Sequence, residues 1–467
     1  MKCEISRQCG SCQYIEMDYQ KQLIKKQEDC KKLFRNEKLM IHPVVGMEEP
    51  YGYRNKVIVA FKHDYSYGLY EEGSHKIVKM RQCLLHDEQT HEVLNKISQL
   101  LKKYRVSIYD DKRHKGFLRH VLIRRAVKTN QTLVVLVATE AIMRGSKNFC
   151  NELIKTCPHV KSIVLNVNKR KTSVVLSKEE KVLYGKGFVV DELCGLTFKI
   201  SAQSFYQINL HQCEKLYQKV IELLDASNDA VVMDTYCGIG TIGMTLANHV
   251  KEVVGVEMNR EAYKDALNNA KMNKINNIHF YNDDATAFMK KAALQHQRVD
   301  CVIMDPPRDG STKEFIQSLA ILKPKTVVYV SCNPQTQVRD LQWLKEVGYH
   351  SKDVYLYDMF PHTAHVETVV LLSKLKTKKH IDIELHTDEL DLTSSESKAT
   401  YQEIKQYVLD KYGFKVSTLN IAQTKQECGI KERDNYNKPK MENSKQPNCP
   451  KEKEDAIKDA FRYFQMI

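Results

Sequence analysis

No stretch of the 467-residue chain approaches the ~18 consecutive apolar residues that a membrane-spanning helix requires. Its longest apolar runs, such as TLVVLVAT, have the length of buried strands. A mean hydropathy of −0.48 also points away from a membrane protein. The first residues, MKCEISRQCG, lack the apolar stretch of a secretory signal, so a cytoplasmic location is expected. No internal repeat is evident. What is present, 42% hydrophobic and 8% aromatic residues, is globular in character and excludes wholesale disorder. This length predicts two to four domains. In a reducing compartment the 14 cysteines ask for a metal or chemical role before a disulfide one.

Basic residues outnumber acidic ones, 72 to 58, a net charge of +14. Almost all of the excess lies in residues 101–200, with 21 Lys+Arg against 8 Asp+Glu. The runs KRHKG (Lys112 to Gly116), IRRA around Arg124 and Arg125, and NKRKT around Lys169 to Lys171 carry it. Such a block beside near-neutral stretches reads either as a phosphate-binding face or as a solvated β-surface.

Four regions follow from the patterning. Residues 1–95 hold a cysteine-rich start, a helical stretch (Tyr19 to Asn36) and first strands after Pro50. Residues 96–202 alternate with period two (VLIRRAV, TLVVLVAT, SIVLNV, TSVVLS, LTFKIS), with short turns KTNQ and NKRK, predicting antiparallel hairpins. Residues 203–375 alternate strand and helix, which predicts a doubly wound α/β sheet binding its ligand beyond the carboxyl ends of the strands. Past residue 376 lies a polar extension of unassigned role. Its predicted parts are a helix opened by the capping box Thr393-x-x-Glu396 and closed near Gly413, a loop over 435–450, and a final helix.

The third region carries the chemistry. VVMDTYCGIGTIGMTLA (residues 231–247) is a strand ending at Asp234, a turn with Gly238 and Gly240, and a helix from Thr241. The glycines let backbone N–H groups approach a ligand, though two glycines in such a turn are often only a tight connection. The next strand ends in Glu257, seventeen residues after Gly240, where an acid can accept both hydroxyls of a ribose. Asp284 follows the third strand, near the expected adenine position. The full dinucleotide pattern is absent, and YCGIGT suits S-adenosylmethionine better. Two later strand ends carry Asp305-Pro306-Pro307-Arg308 and Ser331-Cys332-Asn333-Pro334. Cys332 stands where catalytic groups stand, and needs cations or donors nearby to become a thiolate. Glu367, at the start of the last strand, is a candidate base across the pocket. Cys30, Cys237 and Cys301 read as structural thiols.

The set FYQIN (Phe205 to Asn209), YCGIGT, VEMN, DPPR, SCNP and DMFP…HVET resembles the RNA uracil-5-methyltransferases, as do PYGYRNK (Pro50 to Lys56) and GFLRHVLIR (Gly116 to Arg124). The resemblance runs from residue 1 to about 375. It implies a Rossmann-like S-adenosylmethionine methyltransferase domain and a β-rich central RNA-binding domain with an N-terminal iron–sulfur segment. It further implies that Gln207, Tyr236, Glu257 and Asp305 contact S-adenosylmethionine, with Asp284 at the adenine, Cys332 as nucleophile and Glu367 as base. Many relatives carry an oligonucleotide-binding barrel ahead of the cysteines. Here the first cysteine is Cys3, as in the family's short members.

Cys3, Cys9 and Cys12 form C-x5-C-x2-C, a metal-ligand spacing for which zinc is the generic first guess. The resemblance points instead to a [4Fe–4S] cluster completed by Cys83 in KMRQCLLH. It also favours 23S rRNA as the partner, with tRNA possible and no protein partner implied. Three alternatives compete. An RNA cytosine-5-methyltransferase would want a cysteine in a D-x-P-C motif, and this chain has Asp305-Pro306-Pro307-Arg308. An amino-methyltransferase would want an aromatic residue where Arg308 stands. A catalytically silent iron–sulfur RNA-binding protein would not need both Cys332 and Glu367.

Overall fold

The computed structural model describes residues 3–71, 73–74, 76–170, 174–374, 401–428 and 450–463. Along the chain, helix α1 (Tyr19–Leu33) precedes strand β1 (Met40–Val45). Then come β2 (Lys56–Phe61), β3 (Tyr67–Tyr70), β4 (Ile77–Lys79), α2 (Glu88–Lys103), β5 (Leu118–Ala126), β6 (Gln131–Ala138), α3 (Ser146–Thr156), β7 (Val160–Val167) and β8 (Glu180–Tyr184). A hairpin, β9 (Phe188–Leu193) and β10 (Leu196–Ser201), leads into α4 (Leu210–Leu224). The strand–helix alternation is β11 (Val231–Thr235), α5 (Thr241–Leu246), β12 (Glu252–Val256), α6 (Arg260–Met272), β13 (Ile278–Tyr281), α7 (Ala285–Leu294), β14 (Cys301–Met304), α8 (Lys313–Leu322), β15 (Thr326–Ser331) and α9 (Pro334–Glu346). It closes with β16 (Tyr349–His350), β17 (Asp353–Tyr357) and β18 (Glu367–Lys374).

The larger sheet runs β1-β17-β18-β15-β14-β11-β12-β13, with β16 pairing β18. β11 to β15 are parallel, and β18 inserts antiparallel between β15 and β17. The doubly wound expectation holds, with one revision. β1, from the amino-terminal region, joins this sheet parallel to β17. His42 of β1 bonds Asp353 of β17 at 2.8 Å, and α1 packs beside them.

The central sheet runs β4-β3-β2-β5-β6-β7-β8. Here the all-antiparallel expectation fails at one joint, because β6 and β7 are parallel and α3 forms the crossover. A parallel pair requires such a crossover, and residues 139–159 supply it. TSVVLS is not a strand over its described residues. The side chains of Asn166 and Asn168 engage Ser177, Val174 and Val175, taking backbone groups that a ladder would use. β5 is buried along its full length. Arg124 and Arg125, expected on a phosphate-binding or solvated surface, are each only 5% exposed. Arg125 pairs with Asp87 at 2.8 Å, and the same Asp87 caps α2 by accepting from the N–H of Thr90. Arg124 donates to the carbonyls of Ala202 and Ser204. Both are scaffold.

Residues 1–376 form one compact unit and 377–467 a second. In the second, α10 (Tyr401–Tyr412), α11 (Thr418–Glu427) and α12 (Lys451–Tyr463) share a core of Ile404, Val408, Ile421, Ile457 and Phe461. α11 is an addition to the helices expected there. Thr393 and Glu396 lie outside the described residues, while Gly413 follows α10 with φ +76. Among the described residues, no helix is long and apolar enough to cross a membrane.

Candidate active site

Beyond the carboxyl ends of β11, β12, β14 and β15, polar residues converge on loops that the helix caps hold still. After β11 the chain turns through Tyr236 (φ 64), Gly238 (φ 58) and Gly240 (φ 83). At Gly240 a side chain would be strained, since its φ is positive and a Cβ would come within 2.7 Å of the side chains of Phe280 and Met244. Glu257 bridges two backbones, accepting from the N–H of Gly238 at 2.9 Å and of Asn259 at 2.6 Å. Asp284 is exposed, and one of its oxygens accepts from the N–H of Ala287 at 2.9 Å to cap α7. The Tyr236 ring lies 5.8 Å from Phe315, and burial pushes its hydroxyl up to about 12. Gln207 is half-buried on the loop that Arg124 holds, and its carbonyl accepts from Asn55 at 2.8 Å.

Asp234 is a residue whose role the sequence did not signal. Its Oδ2 accepts from the N–H of Gly243 at 2.8 Å, while its buried Oδ1 has no hydrogen-bond partner. Burial raises its carboxyl to about 7, with Asp305 and Glu257 adding repulsion. Burial raises Asp305 to about 7 as well. A glycine turn, a ribose-competent acid and an unpartnered carboxylate oxygen fit a nucleoside cofactor bearing positive groups.

The nucleophile loop is braced from two sides. Asn333 caps α9, with Pro334 in the first turn, and its amide donates to the carbonyl of Arg308 at 2.9 Å. Thr336 donates to the same carbonyl at 3.1 Å. Cys332, half-buried, therefore sits beside the Arg308 loop. Burial, then Glu367 and Asp305, push its thiol up to about 11, while the charge and a hydrogen bond of Arg308 oppose them. Glu367 opens β18 opposite Tyr357 of β17 and is only 6% exposed. Burial, reinforced by Asp305, raises it well above the usual carboxylate range, against the pull of Arg308. Cys332, Glu367, Asp305 and Arg308 thus share one electrostatic neighbourhood. His365 joins it through Arg308 at 3.4 Å, and spacing alone gave no signal for this residue. Cys30, Cys237 and Cys301 are buried.

The amino-terminal cysteines belong to a segment that meets the connection from β17 to β18, where Gln13 accepts from the N–H of Ala364 at 3.2 Å. Burial raises Cys12 to about 12, and the charges of Cys83, Cys9 and Cys3 contribute, so the four thiols share a neighbourhood. They are not gathered into a ligand shell. Among the described residues, no group of three or more His, Cys, Asp or Glu is arranged to hold a metal ion. The donor chemistry suits a thiolate-ligated metal, but the spacing in this structure does not.

A parallel sheet with a glycine turn after one strand and an acid after the next defines a Rossmann-type nucleoside-binding domain. The profile of the tRNA (uracil-5-)-methyltransferase family matches residues 18–375, and the chain belongs to that family. Relatives described as uncharacterized RNA methyltransferases include one from Halalkalibacterium halodurans, 38% identical over 377 residues, covering 79% of this chain and 82% of its own. Another, from Oceanobacillus iheyensis, is 40% identical over 373 residues, covering 78% and 81%. The solved structure of Pyrococcus abyssi tRNA (uracil-54, C5)-methyltransferase in complex with S-adenosyl-L-homocysteine matches with a TM-score of 0.68 and 28% identity. The match covers 79% of this chain and 86% of that one. The protein is an S-adenosylmethionine-dependent RNA (uracil-5-)-methyltransferase.

Proposed function

We propose that the protein methylates carbon 5 of one or more uridines in 23S rRNA through a covalent adduct with Cys332. The observation that carries the chemistry of this reading is the meeting of Cys332, Glu367, Asp305 and Arg308 at the strand ends, while the choice of 23S rRNA rests on the resemblance of the sequence. S-adenosylmethionine supplies a methyl group made electrophilic by its sulfonium. Gln207, Tyr236, Asp234, Glu257 and Asp305 are the residues to hold it, with Asp284 toward the adenine.

Carbon 5 of uracil is too weak a nucleophile to take that methyl unaided. The Cys332 thiolate adds to carbon 6, and the electron pair moves into the ring as an enolate. Carbon 5 then forms its bond to the methyl carbon as the carbon–sulfur bond of the donor breaks. Glu367 removes the carbon-5 proton, the double bond re-forms, and Cys332 leaves as thiolate. Positioning and enolate stabilisation lower the barrier, and Arg308 is the cation at hand. A base inside a helix is out of reach, so the target nucleotide is flipped into the pocket. The exposed Lys112, Arg113, Lys115, Lys169 and Arg170 are the candidates for gripping the backbone.

RNA carrying 5-fluorouridine tests the chemistry, because its carbon 5 cannot lose a proton. A stable protein–RNA adduct on wild type and none on Cys332→Ala is expected. Failure of wild type to form it, or trapping by Cys332→Ala, sinks the mechanism. A tRNA substrate is the second reading, favoured by the likeness to the Pyrococcus abyssi tRNA enzyme. Mass-spectrometric mapping of 5-methyluridine in both RNAs from cells lacking the gene separates the two.

The shared neighbourhood of Cys3, Cys9, Cys12 and Cys83 supports a [4Fe–4S] cluster as a folding staple, formed once the ligands close on it. Anaerobically purified protein should be brown. A colourless, zinc-containing and fully active sample would overturn the assignment.

A further inference from the structure

His365 lies outside every role assigned so far, yet it is the residue that meets the guanidinium of Arg308. Arg308 Nη2 is 3.4 Å from both ring nitrogens of His365. In the plane of the ring, that equality would drive Nη2 inside the contact distance of the carbon between them. The guanidinium therefore lies over the imidazole face, the arrangement in which arginine stacks on aromatic rings. Arg308 is exposed on its proline-rich loop, so the stacking partner restrains a side chain that would otherwise roam.

What holds His365 is unusually well built. It lies in the connection from β17 to β18, and its ring meets Phe360 edge-on at 6.0 Å. Its N–H donates to Thr363 Oγ1, which donates in turn to the carbonyl of Phe360 at 2.8 Å. The amino-terminal region grips the same connection. Lys26 pairs with Asp358 at 2.6 Å and donates to the carbonyl of Phe360 at 3.2 Å. Gln22, fully buried, accepts from the N–H of His362 at 3.0 Å and bonds its Nδ1 at 3.1 Å. Tyr14 N–H donates to the carbonyl of His362 at 2.9 Å. These contacts secure His362 at φ 67, a backbone conformation that a side chain makes costly.

We infer that His365 is a positioning residue, whose ring, fixed by this latched connection, carries the Arg308 guanidinium to the Cys332 thiol and the Glu367 carboxyl. The inference rests on Cys332 being the nucleophile. Three groups face that thiol: Glu367 and Asp305 disfavour its ionisation, and Arg308 favours it. Part-burial and the neighbouring Arg308, Lys26 and Arg54 disfavour the charged imidazolium, so His365 offers a ring face rather than a competing charge.

The test needs no RNA and is therefore independent of the substrate reading. Alkylation of Cys332 by iodoacetamide is followed by peptide-resolved mass spectrometry on the full chain from pH 7 to 10. Arg308→Ala and His365→Ala should each slow alkylation about tenfold at pH 8, the effect of one unit in thiol pKa. His365→Phe, which keeps a ring face without a titratable nitrogen, should react at nearly the wild-type rate. S-adenosylhomocysteine affinity should not change, and Cys30, Cys237 and Cys301 should stay unreactive. Wild-type alkylation in His365→Ala or in Arg308→Ala overturns the inference. So does a His365→Phe protein as slow as the alanine variant, or slowing accompanied by exposure of the buried thiols. If wild type fails to trap 5-fluorouridine RNA, the proposed methylation chemistry falls while the alkylation result still stands.

Discussion

Three acids, Asp234, Asp305 and Glu367, sit where their charges are disfavoured by burial and, for Asp234 and Glu367, also by the charge of Asp305. Each holds a proton more tightly in the folded protein than in the unfolded chain. The stability they confer is therefore full below the ordinary carboxylate range and is lost as pH rises through their folded values, about 7 for Asp234 and Asp305. A cofactor with a cationic sulfonium and ammonium would relieve that loss. S-adenosylmethionine at fixed saturation should thus raise the melting temperature more at pH 8 than at pH 6, and equal shifts would contradict the acid cluster's role. Kinetics should move with pH for a separate reason. The Cys332 thiol is raised to about 11, so its thiolate fraction grows about tenfold per pH unit below that value. Adduct formation with 5-fluorouridine RNA should climb accordingly from pH 7 to 9. A flat profile would mean that thiol ionisation does not govern the addition.

At the scale of elements, the connection from β17 to β18 depends on α1, more than three hundred residues away in sequence. The Lys26–Asp358 pair is fully buried, with side-chain exposures of 1% and 0%. Asp358 also accepts from Tyr19 at 2.9 Å, so both of its oxygens are engaged. Removing the charge by Asp358→Asn strands the Lys26 ammonium, which costs about 3–5 kcal/mol in comparable buried pairs. Urea unfolding of the 1–376 unit should show that loss, and a change below about 1 kcal/mol would mean that Lys26 finds another acceptor. These distant partners explain what the sequence concealed. The parallel strands from Val231 to Ser331 are continuous apolar runs with polar ends, so their type and the placement of Glu257, Asp305 and Cys332 were readable. β1 contains Pro43, and β1 and β17 find each other only through the finished sheet. α3 hid between two alternating strands, so a crossover passed for a hairpin. His365 and Asp234 were invisible for a related reason. Their importance comes from the face they meet, the Arg308 guanidinium in one case and an open cofactor pocket in the other.

For the whole molecule, the concentrated basic charge divides into two populations that composition cannot tell apart. Arg124 and Arg125 are buried and spend their donors inside the protein, Arg124 on the very loop that carries Phe205 and Gln207. Lys112, Arg113 and Lys115 stand exposed on the turn before β5. Only the second group is free to displace counterions from a phosphate backbone, and each contact so made steepens the salt dependence by about 0.7–0.9 in log–log slope. Neutralising Lys112, Arg113 and Lys115 together should weaken RNA binding, flatten that slope by about 2, and leave S-adenosylhomocysteine affinity intact. Arg124→Ala should do the reverse. Losing its bonds to the carbonyls of Ala202 and Ser204 frees the Gln207 loop, so cofactor affinity should fall while the salt slope stays as it was. Should the triple variant bind RNA with an unaltered slope, the exposed lysines and arginine are a solvated surface, and the grip on RNA must come from another face of the molecule.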